Sequence, residues 1–410
     1  MKKKSEINRT PGTALPQIMT TVVSLASQVI NAPQLPDVVF APNMSSSSYV
    51  SVDLAALAAG GAGYLSTLPE LNLTGPAISL LSYHPDFASA VGASASARLV
   101  SDLPWEAFHE AGVYSRADNS LYVTSNFRDL RDSINVTVVS LDDYSVSSRK
   151  IPGMAAGNGG TTYHPPGSDR DATPPLHVYC DQGGFDSPSQ LLAYDPAADA
   201  SWPLLTSFLG RDFSSVNDVR QHPETGDLWF TDADYGYFQH FRPEPTQPKQ
   251  VYRFDPSTGA VQAVADGFVE PNGLEFSPDL KTLYVSDTGA AQFEKVPRNP
   301  ATVYAFDVVG DGKRLANRRM FAFVDTGFPD GVHCDAAGNV WAGAGDGVHV
   351  WNPEGALLGK IFVGEESNNF AFAPGKVFVF SNSRLWVVEG VEAVGREVCK
   401  DFGRDQAGCA

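Results

Sequence analysis

Residues 328–343 read FPDGVHCDAAGNVWAG. A polar residue, Asp330, opens a short apolar strand, a tight Asp/Gly turn follows at residues 335–338, and a second apolar strand begins at Val340. Glycine supplies the positive φ that such a turn requires, so the segment has the signature of a β-hairpin.

The same unit recurs along the chain. Close copies begin at Asn217 and Asn272, and looser copies begin at Glu110, Asn158 and Asn369. Together with the copy at Asp330, the units are spaced by roughly 40–60 residues, which is the length of a four-stranded propeller blade. The sequence therefore predicts an all-β fold, a six-bladed β-propeller with an N-terminal extension.

Blades do not stand alone, so the repeats indicate one closed array and not several small domains. We assign residues 1–80 to an N-terminal extension that packs outside the first blade or partly joins the last one. Residues 81–392 form the propeller and residues 393–410 a C-terminal tail. The last copy is short by one strand. We expect N-terminal residues to supply that strand and close the ring, because the blade edge would otherwise stay unpaired.

Charge and hydropathy exclude several functions. The formal net charge of the 410 residues is −18 with no local basic patch, which argues against a nucleic-acid partner. No segment approaches 18 unbroken apolar residues, so we predict no membrane span. A small-molecule substrate fits best, and the sequence does not indicate an oligomeric state.

The N-terminus resembles a secretory signal at residues 1–32, with a basic start (MKKK) and a weakly apolar stretch from Ile18. It favours the secretory pathway, and a cytoplasmic protein with an N-terminal helix against the propeller is the alternative. Four glycosylation sequons fit secretion: Asn8, Asn43, Asn72 and Asn135. In an oxidising compartment Cys399 and Cys409 could pair, whereas we expect Cys180 and Cys334 to be buried free thiols.

The residues that open the six units form a predicted ring. In a propeller the first strand of each blade lines the central channel, so its opening residue points toward the axis at one mouth. Glu110 and Asp330 contribute carboxylates, and Asn158, Asn217, Asn272 and Asn369 contribute amides. Such oxygens suit calcium or another hard divalent cation, and no Cys/His cluster with soft-metal spacing competes. Alternatively, these polar residues merely solvate a wet channel.

Long connections leave the ends of two second strands, and the one at residues 233–249 is rich in aromatic residues. Loops on a rigid scaffold commonly carry function, so we expect this one to roof the channel mouth. Our candidates for substrate binding are Asn158, Asn217, Asp181, Tyr235, Tyr237, Phe241 and Asn369.

Glu110, Asn217, Asn272-Gly273 and Asp330-Gly331, each opening a blade in that order, resemble the senescence-marker-protein/gluconolactonase family of six-bladed calcium propellers. The similarity is closest to its fungal lactonohydrolase branch, and it is strongest over residues 216–236, 268–288 and 328–347. The resemblance implies that Glu110, Asn272 and Asp330 are calcium ligands. Asn217 would be a ligand or a substrate-orienting amide, and Asp330 would also be the base that activates water.

The chemistry that this resemblance implies is lactone opening, with the carbonyl polarised by the metal and a proton taken from water. His109 is a second candidate for the proton acceptor. We expect His333 to be buried within its blade, because strand alternation places it opposite Asp330. The sequence has no G-x-S-x-G motif around a strand-turn-helix, so it does not support a serine nucleophile.

Two other functions remain open. Some fungal propellers that resemble this family act in secondary metabolism as hetero-Diels–Alder cyclases. There an aromatic lid of Tyr235, Tyr237, Phe238 and Phe241 would orient apolar reactants. A non-catalytic binding propeller is the third possibility, although convergent acidic side chains at a channel mouth have no use in it.

Overall fold

Six blade sheets follow one another along the chain, and four of them hold four antiparallel strands in sequence order from the inside outward. The fifth sheet gains two strands and the sixth gains one from the segment that precedes the first blade. This arrangement, seen in a computed structural model, confirms the predicted six-bladed propeller. The structure describes residues 49–68, 71, 76–127, 134–170, 173–291 and 295–401. They all belong to one unit, Val38–Ala410. The signal-like segment, three sequons (Asn8, Asn43 and Asn72) and Cys409 lie outside the described residues.

The elements before the first blade are β1 (Tyr49–Ser51), α1 (Leu54–Gly60), β2 (Ser79–Ser82), α2 (Asp86–Val91) and β3 (Ser96–Asp102). β2 pairs antiparallel with the outer strand of blade 5, and β1 pairs parallel with β2. Blade 5 therefore has six strands. Residues 1–80 were expected against the first or last blade, whereas β1 and β2, which begin in the described part of that segment, extend blade 5.

The blades have the following strands. Blade 1 contains β4 (Glu110–Ser115), β5 (Ser120–Thr124), β6 (Val136–Ser140) and β7 (Val146–Arg149), and blade 2 contains β8 (Gly157–Tyr163), β9 (Leu176–Asp181), β10 (Gln190–Asp195) and β11 (Ala200–Leu205). A hairpin of β12 (Ser207–Phe208) and β13 (Arg211–Asp212) precedes blade 3, which contains β14 (Ser215–Gln221), β15 (Leu228–Ala233), β16 (Gln250–Asp255) and β17 (Ala260–Ala265). Helix α3 (Tyr235–Phe238) follows β15.

Blade 4 contains β18 (Pro271–Phe276), β19 (Thr282–Asp287), β20 (Thr302–Val309) and β21 (Arg314–Phe323), and blade 5 contains β22 (Val332–Cys334), β23 (Val340–Ala344), β24 (Gly347–Trp351) and β25 (Leu357–Phe362). Blade 6 contains β26 (Asn369–Ala373), β27 (Lys376–Ser381) and β28 (Arg384–Glu389), and α4 (Arg396–Asp401) ends the described chain. Among the described residues, no helix has the length and apolarity needed to cross a membrane.

The ring closes as the sequence predicts. β3 pairs antiparallel with β28 and supplies the outer strand of blade 6, with Ser101 opposite Leu385 and Ala97 opposite Val388. The strands of blade 6 bury large apolar side chains such as Trp386 and Phe378 in a shared core. Closure therefore pairs an open edge and buries apolar surface in one step.

A bulge interrupts the first strand where the polar residue opens the blade. In blade 3 the register shifts between Val216 and Val219, so that Asn217 and Asp218 together face the single residue Thr231. Blades 2 and 4 shift in the same way between Gly157 and Gly160 and between Pro271 and Leu274. A bulge adds one residue to one strand and re-aims its side chains. The opening residue and the residue three positions later therefore both face the channel.

Hydroxyl groups on second strands tie this irregular backbone between blades. Thr231 Oγ1 accepts a hydrogen bond from Asp218 N (3.1 Å) and donates one to Asn272 O (2.8 Å). Thr124 Oγ1 likewise donates to Asn158 O, and Ser286 Oγ donates to Asp330 O. The positions of Asn158, Asn272 and Asp330 thus depend on the preceding blade.

We expect Thr231→Val, which keeps the shape but removes the hydroxyl, to lower the free energy of unfolding by about 1–3 kcal/mol. Both Asp218 N–H and Asn272 C=O would lose a buried partner. Denaturant titration measures the change, and Thr231→Ser, which retains the hydroxyl, is the matched control. Equal stabilities of the valine and serine variants would contradict this role.

Candidate active site

A cavity of about 220 Å³ lies at the channel mouth where the first strands begin. Five of the six opening residues line it: Glu110, Asn158, Asn217, Asn272 and Asp330. The remaining wall consists of His109, Asn126, Phe127, Ile134, Gln182, Tyr235, Gln239, Thr288, Ala291, Phe328, Glu366 and Asn368. The structure thus brings together all four residues that were predicted to bind a metal.

Three of these four residues have a buried side-chain oxygen that lacks a hydrogen-bond partner. Asn217 Oδ1, Asn272 Oδ1 and Asp330 Oδ1 are buried and have no hydrogen-bond partner. Leaving such an acceptor unpaired costs about 1–3 kcal/mol, so several at one cavity call for an explanation. A hard cation would satisfy all of them together with the Glu110 carboxylate, and the donor set therefore fits a cation such as calcium.

The orientation of the Asn272 amide is fixed from behind. Its Nδ2 donates to the Tyr235 hydroxyl at 3.1 Å, so its Oδ1 is the free end. Tyr235 lies at the start of α3, and Thr231 holds the backbone carbonyl of Asn272. The side-chain amide and the backbone carbonyl of Asn272 are thus both held in place by other groups of the protein.

The cavity concentrates negative charge. Burial raises the pKa of Glu110 well above its usual value, and neighbouring Asp330 and Asp218 raise it further. Burial, and then the charge of Glu366, raises the pKa of Asp330 to about 8. None of the described residues that line the cavity is a lysine or an arginine. The carboxyl groups therefore lack a cationic partner from the cavity wall.

His109 also faces the cavity, as the sequence analysis predicts. It is half-buried, and its Nδ1 lies 2.8 Å from Asn382 Oδ1. That oxygen accepts the Nδ1 proton, so Nε2 carries the lone pair. Burial lowers the pKa of His109, which favours the neutral ring. His109 can therefore accept a proton at the edge of the cavity.

Asp181 is not at the cavity, and its assignment to substrate binding is wrong. Its carboxylate is fully buried and accepts hydrogen bonds from Ala156 N (2.7 Å), Gly183 N (3.1 Å) and Gln190 Nε2 (2.9 Å). Equivalent aspartates serve blades 3 and 4, since Asp232 accepts from Ser215 N and Asp287 accepts from Glu270 N, both at 2.8 Å. Asp181 therefore anchors the chain that leads into the first strand.

Three more candidates for substrate binding do not line the cavity. Tyr237 is exposed, and Phe241 is buried behind Phe127, with ring centroids 4.4 Å apart. Asn369 is buried and donates from Nδ2 to Glu110 Oε2 at 2.8 Å. Phe238 is also absent from the described lining. The predicted aromatic lid therefore reduces to Tyr235 among the described residues.

His333 is buried as predicted, but the reason given for its burial is wrong. Asp330 N donates to Gly343 O, and Gly343 N donates to Gly331 O, so two residues again face one. This bulge cancels the simple alternation. His333 consequently faces the channel, where its Nε2 lies 3.1 Å from Asn369 Oδ1.

Sequence reasoning missed several cavity residues on connecting loops. Glu366 and Asn368 precede β26, and Asn368 Nδ2 donates to Asp330 Oδ2 at 3.3 Å. Asn126 and Gln182 follow second strands by one or two residues. Loops after second strands reach the same mouth as the starts of first strands, and that placement is the signal that could have identified the last two.

Two other clusters of acids and histidine have the composition of a metal site: Glu275, His333 and Glu397, and Asp325, Asp346 and His349. Each already contains a cationic side chain. Arg220 Nε lies 2.8 Å from Glu397 Oε1, and Lys360 Nζ lies 2.9 Å from Asp346 Oδ2. Their charge is balanced within the protein, unlike that of the cavity.

The chain is similar to known lactone-hydrolysing proteins. A family model described as the SMP-30/gluconolactonase/LRE-like region matches residues 178–379. The lactonohydrolase oryL of Aspergillus oryzae is 34% identical over 224 residues, which are 50% of this chain and 49% of that protein. The gluconolactonase of Zymomonas mobilis is 30% identical over 178 residues, 42% of this chain and 48% of that protein.

The chain thus spans about half the length of these curated relatives. Among solved structures, a gluconolactonase from Xanthomonas campestris superposes with a TM-score of 0.62 at 27% identity. The superposition covers 77% of this chain and 96% of that one. The similarity to the solved structure therefore extends over the propeller as a whole.

If Asp181 is an anchor, Asp181→Asn should lower the free energy of unfolding by about 1–3 kcal/mol, because the amide brings a donor to a site that faces donors. Denaturant titration measures the loss. Asp186→Asn, at an exposed position on the following loop, is the matched control and should be neutral. An Asp181→Asn variant as stable as this control would refute the anchoring role.

Proposed function

We propose that the chain is a cation-dependent lactone hydrolase of the SMP-30/gluconolactonase/LRE-like family, whose model matches residues 178–379. One observation carries the proposal. The unpaired oxygens of Asn217, Asn272 and Asp330 converge with the Glu110 carboxylate on a single cavity. The relatives named lactonohydrolase and gluconolactonase support the same reaction type.

The residues proposed to hold the cation are Glu110, Asn217, Asn272 and Asp330. Carboxylate and amide oxygens favour calcium, and other hard divalent cations are compatible with the same donors. When bound, the cation would supply Lewis-acid polarisation of the lactone carbonyl.

The remaining work falls to side chains of the protein. Asp330 is proposed as the general base, since its carboxylate lines the cavity and its Oδ2 is oriented by Asn368. It takes a proton from water while the water oxygen attacks the carbonyl carbon. The ring C–O bond then breaks, and the proton passes to the leaving ring oxygen to give the hydroxy acid. His109, which lines the same cavity, is the alternative proton acceptor.

The lining indicates a small, hydroxylated lactone. Side-chain amides of Asn126, Asn158, Gln182 and Gln239 surround the cavity. Amides both donate to and accept from neutral hydroxyl groups, so they suit a polyhydroxylated ring better than an alkyl one. With a volume of about 220 Å³, the cavity favours a compact substrate. Of the four residues predicted to form an aromatic lid, Tyr237, Phe238 and Phe241 are absent from the described lining, which removes most of the support for a cyclase.

We expect the protein to release protons from hydroxylated lactones, because the product acid ionises at neutral pH. Release should stop on treatment with a chelator and return on addition of calcium. A pH-indicator assay measures both, with unsubstituted lactones of matched ring size as the comparison. If hydroxylated and unsubstituted lactones reacted equally, the assignment of the amide lining would be wrong.

Asp330→Asn should keep the fold and lower kcat/KM by about 10²–10⁴-fold, since it removes a general base at nearly constant volume. Asp311→Asn makes the same chemical change on an exposed turn with positive φ and should leave kcat/KM unchanged. Activity of Asp330→Asn within twofold of this control, a limit of about 0.4 kcal/mol, would contradict the role of Asp330.

A further inference from the structure

A second layer of charged side chains lies in the channel beneath the cavity. Arg220, Glu275 and His333 each follow an opening residue by three positions, and the bulges turn them toward the channel. All three are almost completely buried. Arg220 pairs with Asp218 at 2.9 Å and with Glu275 at 3.3 Å, so this layer is a connected network.

Helix α4 reaches this layer from the far end of the channel. Asp335, which follows β22 at the end opposite Asp330, bridges to Gly395, and Ala336 N donates to Val394 O at 2.7 Å. Arg396 then pairs with Glu275 at 2.6 Å, and Glu397 pairs with Arg220 at 2.8 Å. The C-terminal segment therefore supplies one charge of each sign to the channel interior.

A continuous series of polar contacts leads from α4 to the cavity. Glu397 Oε1 lies 3.3 Å from His333 Nδ1, and His333 Nε2 lies 3.1 Å from Asn369 Oδ1. Asn369 Nδ2 donates to Glu110 Oε2 at 2.8 Å. We call the series Glu397–His333–Asn369–Glu110 the relay. Its three inner members are buried, so water does not replace these contacts.

We propose that α4 positions the cation ligand Glu110 through this relay. His333 Nε2 and the backbone N–H of Phe370 both contact Asn369 Oδ1, which leaves Nδ2 facing Glu110. If the Asn369 amide were flipped, its oxygen would face the Glu110 carboxylate and repel it. Glu397 fixes the ring of His333 from the other side. Glu397, His333 and Asn369 are therefore positioning residues, and the inference rests on the proposed role of Glu110 in cation binding.

The test is the calcium affinity of the full chain, measured by calorimetry after removal of metal with a chelator. Glu397→Met removes the carboxylate that lies 3.3 Å from His333 Nδ1 and should weaken calcium binding by about 10–100-fold, the usual effect of losing an outer-shell partner. Glu397→Gln keeps an acceptor oxygen and should restore most of the affinity. Arg396→Met breaks the contact with Glu275, outside the relay, and should lower the melting temperature without changing the affinity.

The outcomes separate this inference from the proposed function. A wild-type chain that binds no divalent cation would overturn both. A wild-type chain that binds calcium, with Glu397→Met equally tight, would overturn the inference alone, as would equal weakening by Arg396→Met. If Glu397→Met does not fold, Asn369→Leu removes the last donor of the relay and leaves α4 untouched. Unchanged calcium affinity in that variant would also overturn the inference.

Discussion

The bulge at the start of the first strand is the constraint on which the rest of the site depends. In a regular strand, residues two apart share a face, and an opening residue would then share the channel with its second neighbour. The extra residue opposite Thr231 shifts this pairing, so that Asn217 and Arg220 face the channel together. Blades 4 and 5 repeat the shift with Asn272 and Glu275 and with Asp330 and His333. The channel consequently has one layer of opening residues and one of buried charges.

Such a bulge is an irregularity that single blades would not hold in place. Its extra backbone groups need partners, and the preceding blade supplies them through the hydroxyls of Thr231 and Ser286. Thr124 supports Asn158 of blade 2 in the same way, and β3 closes the ring by pairing with β28. Because the ring is closed, the positions of ligands from different blades are coupled, which is what a site assembled from distant parts of the sequence requires.

The fold could be predicted from the sequence because its main determinants are local and repeated. Six polar openings followed by hairpins specify blades, and the short last copy indicates a missing strand.

The site residues could be predicted only where they open a first strand, because such residues point into the channel. Asp181 looks like a channel residue in sequence, yet the strand ends on it and backbone N–H groups converge on its carboxylate. Glu366 and Asn368 lie on a loop whose path depends on packing between blades 5 and 6. His333 shows that strand alternation fails where a bulge has no sequence signature.

The two layers differ in how their charge is compensated, and this difference identifies where a cation belongs. In the inner layer every carboxylate has a protein cation within reach, with Arg220 beside Glu397 and Arg396 beside Glu275. In the outer layer, Glu110 and Asp330 are just as buried, but the described cavity wall offers them no lysine or arginine. Burying a charge without a partner is costly. Since the fold neutralises the inner acids and leaves the outer acids unpaired, the outer layer is suited to binding a cation. The relay through Asn369 connects the two layers. It allows the neutralised layer to hold Glu110 in place without supplying the positive charge that a divalent cation would bring.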